Sequence, residues 1–122
     1  MSERLEKESL GRIEVAPDVL TMIAHFATMR VEGIHKMAAA PAEKGRPFRR
    51  ASRSEGITLH VTDDDRLIFD IFVLMQPHVD IMKTSRDLQA AVAEAIDKMV
   101  GLPVEAVNVH VEDVIYAQGD AA

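Results

Sequence analysis

The chain has 122 residues, which suits one domain with a single core. It has no cysteine, so disulfides, thiolate nucleophiles and cysteine-ligated zinc are excluded, and an aromatic share of 4% argues against stacking platforms for single-stranded nucleic acid. The net charge is −6 and uneven: 10 Lys/Arg face 8 Asp/Glu up to Val61, but only 4 face 12 beyond it, a poor balance for general phosphate binding.

Met1 to Ser9 is charged and patternless, and reads as a flexible tail. Arg12 to Ala16 alternates, with Ile13 and Val15 opposite Arg12 and Glu14, and period two predicts a short half-buried strand. Pro17 and Asp18 then open a helix to about Met29, since proline at the first helical position forfeits no hydrogen bond. Val19, Ile23, Phe26 and Ala27 fall at helical spacing and are its expected core stripe. Val31 to Met37 contains Gly33, which permits a positive φ, and is read as a turn running into a short strand.

Residues 38–55 are expected to form a variable basic loop. Within it KGRPFRRASR places Lys44, Arg46, Arg49, Arg50 and Arg53 in ten positions, interrupted by Gly45, Pro47 and serines. Ile57 to Thr62 alternates again, with Ile57, Leu59 and Val61 on one side and Thr58, His60 and Thr62 on the other. Asp63 to Arg66 turns the chain, and Leu67 to Met75 is the second arm of a hairpin. Its apolar face is Leu67, Phe69, Ile71, Val73 and Met75; its other face is Ile68, Asp70, Phe72 and Leu74.

The clearest element is a long helix over Val79 to Val100, with Ile81, Ser85, Leu88, Val92, Ala95, Ile96 and Met99 at helical spacing. Asp80 and Lys98 stand at the ends the macrodipole prefers, Gly101 supplies a left-handed cap, and Pro103 forbids continuation. Val104 to Val111 is a last strand with Val107, Val109 and Val111 inward, and 117–122 is a second flexible tail. The expected domain therefore spans 10–116. It is an α+β two-layer sandwich: a small mixed sheet of three to five strands with two helices packed on one face. The other sheet face, carrying Thr58, His60, Ile68, Asp70, Phe72, Leu74, Asn108 and His110, is expected to lie open as a contact surface.

Candidate chemistry is sparse. Asp63 to Asp65 lacks the glycine and distal glutamate of a calcium loop and reads as turn chemistry. The histidines form no HxH or HExxH pair. If their strands are neighbours, His60 and His110 share a face with Asp70, and such a cluster can hold a metal or a proton. Against that stands the plainer reading of three solvent-facing or interface side chains. No serine sits in a GxSxG elbow, the glycines form no phosphate loop, and the methionines fall on apolar stripes. No catalytic, cofactor-binding or metal-ligating residue is assigned, and no cofactor is expected.

No apolar run approaches the roughly 20 residues of a membrane-spanning helix. The opening MSERLEKESLGR has no signal-peptide h-region, and there is no Gly at position 2 or cysteine at the tail to lipidate. The expectation is a cytoplasmic protein without its own anchor.

Several segments together are similar to the alkaline-shock-protein family of bacterial envelope stress response proteins. They are LGRIEVAPDVLTMIA at Leu10 to Ala24, VEGI at Val31 to Ile34, the acidic hairpin ending in FDIFVLM, and the stretch ending LQAAVAEAIDKMVGLPVEAVNVHV. The resemblance covers about Leu10 to Glu112. It implies a small non-enzymatic protein of envelope homeostasis, peripheral at the inner face of the cell membrane. A membrane-anchored protein partner and self-association into a homo-oligomer are implied with it. The interaction surface expected on this basis is His60, Ile68, Asp70, Phe72, Leu74 and His110. Two other readings compete. One is nucleic-acid binding through Lys44, Arg46, Arg49, Arg50 and Arg53, opposed by the acidic net charge; the other is a metal-dependent enzyme using His60, Asp70 and His110.

Overall fold

A computed structural model describes residues 10–39 and 50–116. The elements run α1 (Pro17–Met29), β1 (Ile34–Met37), β2 (Arg50–Ser54), β3 (Ile57–Val61), β4 (Leu67–Met75), α2 (Ile81–Met99) and β5 (Val104–Val114). Residues 1–9, 40–49 and 117–122, on which the expected flexible tails and much of the expected basic loop fall, lie outside the described residues. The architecture is the expected α+β one, with both helices packed over one face of a five-stranded mixed sheet.

β4 organises the sheet. One edge pairs in parallel with β5 along its whole length, from Leu67↔Val104 to Met75↔Val114. The other edge is shared end to end: β3 pairs antiparallel with Leu67 to Ile71, and β1 takes Val73 to Met75. The join falls at Phe72, whose N–H donates to the Gly56 carbonyl while its own carbonyl accepts from the Ala38 N–H, both at 2.8 Å. β2 then adds antiparallel to β3. A nine-residue strand flanked on both edges must be apolar toward the helices. Leu67, Phe69, Ile71, Val73 and Met75 are accordingly buried together against Leu20, Ile23 and Ala24 of α1 and Leu88, Val92 and Ile96 of α2.

The local signals for α2 hold. The Asp80 carboxylate accepts from the Lys83 N–H at 3.0 Å, and Gly101 ends the helix at φ +75 with its N–H on the Ile96 carbonyl. Two i,i+4 pairs, Lys83–Asp87 and Lys98–Glu94, line its exposed side. The Asp87 carboxylate, hydrogen-bonded to the ammonium and attracting it, raises Lys83 above the ordinary lysine value.

Three expectations need correction. Arg12 to Ala16 is not a strand: it runs outside the sheet, with Ile13 88% exposed. Its alternation satisfies strand geometry, but no described strand edge pairs with it. Residues 38–55 are not all loop, because Arg50 to Ser54 forms β2. The hairpin is closed by Glu55 and Gly56, and Gly56 at φ +72 supplies the left-handed residue that a two-residue connection needs. Backbone pairing to β3 thus overrides a polar composition that carries no strand pattern of its own. In α1 the expected stripe is half right: Ile23 is buried and Ala27 half-buried, but Val19 and Phe26 face solvent, and Leu20 and Ala24 point inward instead. α1 is apolar on nearly every side, so spacing alone could not select its inner face.

Candidate functional site

Two regions merit attention as functional surfaces. The first is the sheet face turned away from the helices. Register places Thr58 of β3, Asp70 of β4 and Asn108 of β5 in one row, with His60 and Ile68 in the row beside it and Phe72 and His110 in the next. The neighbourhood expected of His60, Asp70 and His110 is therefore formed. His110 Nε2 donates to Asp70 Oδ1 at 2.9 Å, Asn108 Nδ2 donates to the same oxygen at 3.3 Å, and His60 Nδ1 lies 3.9 Å from Oδ2. The His110 ring stacks on Phe72 with centroids 4.3 Å apart and planes 12° from parallel.

This face is not open, and here the sequence reading is corrected. His60 is 0% exposed, Asp70 2% and Phe72 5%, while Ile68, Leu74 and His110 are half-buried. A carboxylate taken out of water needs donors, and Asp70 has them from the next strand, so the cluster ties β4 to β5 across the sheet, with His60 of β3 close beside it. Each imidazole addresses the carboxylate. Among the described residues no group of three or more His, Cys, Asp or Glu is placed to hold a metal ion. What the arrangement does chemically is hold a buried charge in place.

The basic stretch is divided. Lys44, Arg46 and Arg49 lie outside the described residues, whereas Arg50 and Arg53 belong to β2, in register with His60 and Thr58.

The second region was missed by the sequence reading. The outer side of α1 carries Val19, Met22, Phe26 and Met29, 43%, 56%, 64% and 38% exposed. Beside it a groove of about 510 Å³ runs between the helices. Its apolar wall is Ile23, Phe26 and Ala27 of α1 with Ala91, Ala95 and Met99 of α2. Arg30, Glu94 and Lys98 give it charge, and Met99 is 70% exposed. A helix with one charged residue in thirteen, half out of its own core, presents a contiguous apolar surface to water. The signal was present in the sequence: α1 is apolar on nearly every side, and only one side of a helix can face one sheet.

The sequence model of alkaline shock protein 23, a family of cell envelope-related function, matches residues 5–116. The chain belongs to this family. Among its relatives, the protein Spy1535 of Streptococcus pyogenes is 33% identical over 108 residues, 88% of this chain and 82% of that one. YqhY of Bacillus subtilis is 26% identical over 110 residues, covering 87% and 78%, and YloU of the same organism is 23% identical over 107 residues, covering 85% and 88%. The function of this alkaline shock protein relative is thus cell envelope-related. Among the described residues no helix is long and apolar enough to cross a membrane.

Proposed function

We propose that the protein is a non-enzymatic interaction module of envelope homeostasis, working at the inner face of the cell membrane through a protein partner. The observation that carries this reading is the exposed apolar side of α1 in a member of an envelope-related family. Burial of that surface against a partner would be driven by the hydrophobic effect, at roughly 25 cal/mol for each Å² removed from water. The buried Asp70 cluster supports a structural part for the one group of titratable side chains that the sheet brings together, since its carboxylate is engaged by neighbouring strands.

The test is fractionation of a lysate of the source cells, with and without nuclease, followed by a high-salt wash of the membrane pellet. Sedimentation with membranes irrespective of nuclease is the expected outcome. A protein that stays in the supernatant, or leaves the pellet only after nuclease, overturns the reading and favours nucleic acid as the partner of the basic stretch.

A further inference from the structure

We propose that the hollow between the turn after α1 and the start of α2 is a binding site for a guanidinium group, the head of an arginine side chain. This goes beyond the interaction-module reading and does not rest on the exposed side of α1, so the two can fail separately.

The hollow has a volume of about 420 Å³, within the range of about 300–1,000 Å³ in which proteins hold small ligands. Thr84 lies in its wall. This residue is 5% exposed, and its hydroxyl makes no hydrogen bond among the described residues. A polar group so placed is costly unless something entering the hollow pairs with it. Gly33, at φ +104, keeps the space beside it open: a Cβ there would stand 3.0 Å from Thr84 Oγ1.

Charge selects the ligand. Glu32, Asp80 and Asp87 line the hollow with Lys83, so three carboxylates face one ammonium. Lys83 Nζ already donates to Asp87 at 2.9 Å. Asp80 accepts from the Lys83 N–H through Oδ1, which leaves Oδ2 to a ligand, and Glu32 makes no ion pair among the described residues. Lys83 itself reports the negative field, since Asp87, and after it Glu32 and Asp80, hold it above the ordinary lysine value. The start of a helix alone favours an anion, but here Asp80 caps it and the other two carboxylates repel one. A metal ion is not the match either, because no three ligating side chains among the described residues close on one point. A guanidinium is broad and planar, with five N–H donors, and so can reach separated acceptors: the Glu32 and Asp80 carboxylates and the Thr84 hydroxyl. The His78 ring, in edge contact with Tyr116 at 5.6 Å between centroids, completes the wall on which such a plane can lie.

The test is a titration of the full chain with N-acetyl-argininamide, followed by amide chemical shifts. The neutral isostere N-acetyl-citrullinamide serves as the control. Shifts should centre on Glu32 to Gly33 and His78 to Asp87, with a dissociation constant of about 1 mM, and the citrulline probe should give none. Thr84→Val keeps the shape and should weaken binding about tenfold. Glu32→Gln, at an exposed position, should weaken it about threefold. Lys83→Met removes the resident cation and frees Asp87, and should tighten binding about threefold, a gain that a purely structural role would not give. Methylguanidine distinguishes the sources. Weaker binding than the arginine probe assigns the site to an arginine within a polypeptide, and equal binding to a free guanidinium compound. An absence of shifts up to about 10 mM probe overturns the proposal. So does equal binding of the citrulline probe, or an affinity unmoved by the three variants.

Discussion

Replacing Asp70 tests whether the cluster on the second sheet face is the structural tie described above. In Asp70→Ala the hydrogen bonds from His110 at 2.9 Å and Asn108 at 3.3 Å are lost, and a cavity opens opposite His60, which is 0% exposed. Bonds to a charged acceptor contribute about 1.5–3 kcal/mol each, but both here end on one oxygen and do not add freely. Breaking a buried, donor-satisfied charge costs about 3–5 kcal/mol in all. For a chain of this size, where 1 kcal/mol shifts Tm by about 3–6 °C, the expected fall in Tm is about 10 °C or more. Asp70→Asn keeps the shape and one acceptor, and should lose about 1–2 kcal/mol. Urea unfolding of both variants, with His110→Ala and the double variant to complete a cycle, gives the coupling directly; about 1–3 kcal/mol is expected between the two residues. If Asp70→Ala lies within about 1 kcal/mol of wild type, the cluster is not a tie and the reasoning fails.

The remaining predictions concern the fold and its surface. Gly56→Ala should cost about 2–4 kcal/mol in urea unfolding: φ is +72, and an added Cβ would stand 2.6 Å from the Ala38 carbonyl oxygen and 2.9 Å from Met37 Cβ. Leu88→Ala empties a fully buried position facing the sheet and should cost about 2–5 kcal/mol, read the same way. Thr58→Val removes a buried hydroxyl that has no hydrogen-bond partner among the described residues; thermal melts should show stability unchanged or raised by up to about 1 kcal/mol. Ile13→Ser, at 88% exposure, should move Tm by no more than the equivalent of about 0.5 kcal/mol, whereas a paired strand would lose more. The Lys83–Asp87 pair bears on the alkaline limb only. A lysine raised in the folded state lends its contribution below its unfolded value and loses it as pH rises through the folded one, so Lys83→Met should match wild type there and differ most near neutral pH.

The sequence is most informative where two physical signals coincide. For α2, apolar spacing, an Asp N-cap and a Gly-x-Pro stop all agree, and the helix forms within two residues of its expected ends. For β3 and β4, period two and the Asp63–Asp65 turn agree, and the pairing follows; Asp65 takes φ +63 in that turn. Where a single signal stands alone it can mislead. Ile13 and Val15 alternate without an edge to receive them, and β2 is held by backbone bonds to β3 that leave no apolar trace in Arg50 to Ser54. The parallel pairing of β5 is marked by no local residue; it follows from the crossover through α2, in keeping with the expected mixed sheet.

The same distinction applies to the candidate surfaces. Period two correctly put His60, Asp70 and His110 on one side of the sheet, since face is a local property of a strand. That this side is buried at its centre is a tertiary property, which alternation cannot report. The exposed series on α1 follows from competition: once Leu20, Ile23 and Ala24 fill the place against β4, the other apolar residues of the helix have nowhere to go within the described domain.

The most direct test of the central claim compares wild type with Phe26→Glu in the same fractionation. Wild-type protein should be found in the membrane pellet regardless of nuclease, and Phe26→Glu should be folded but released to the supernatant. Wild type confined to the supernatant, or Phe26→Glu pelleting undiminished, would contradict it.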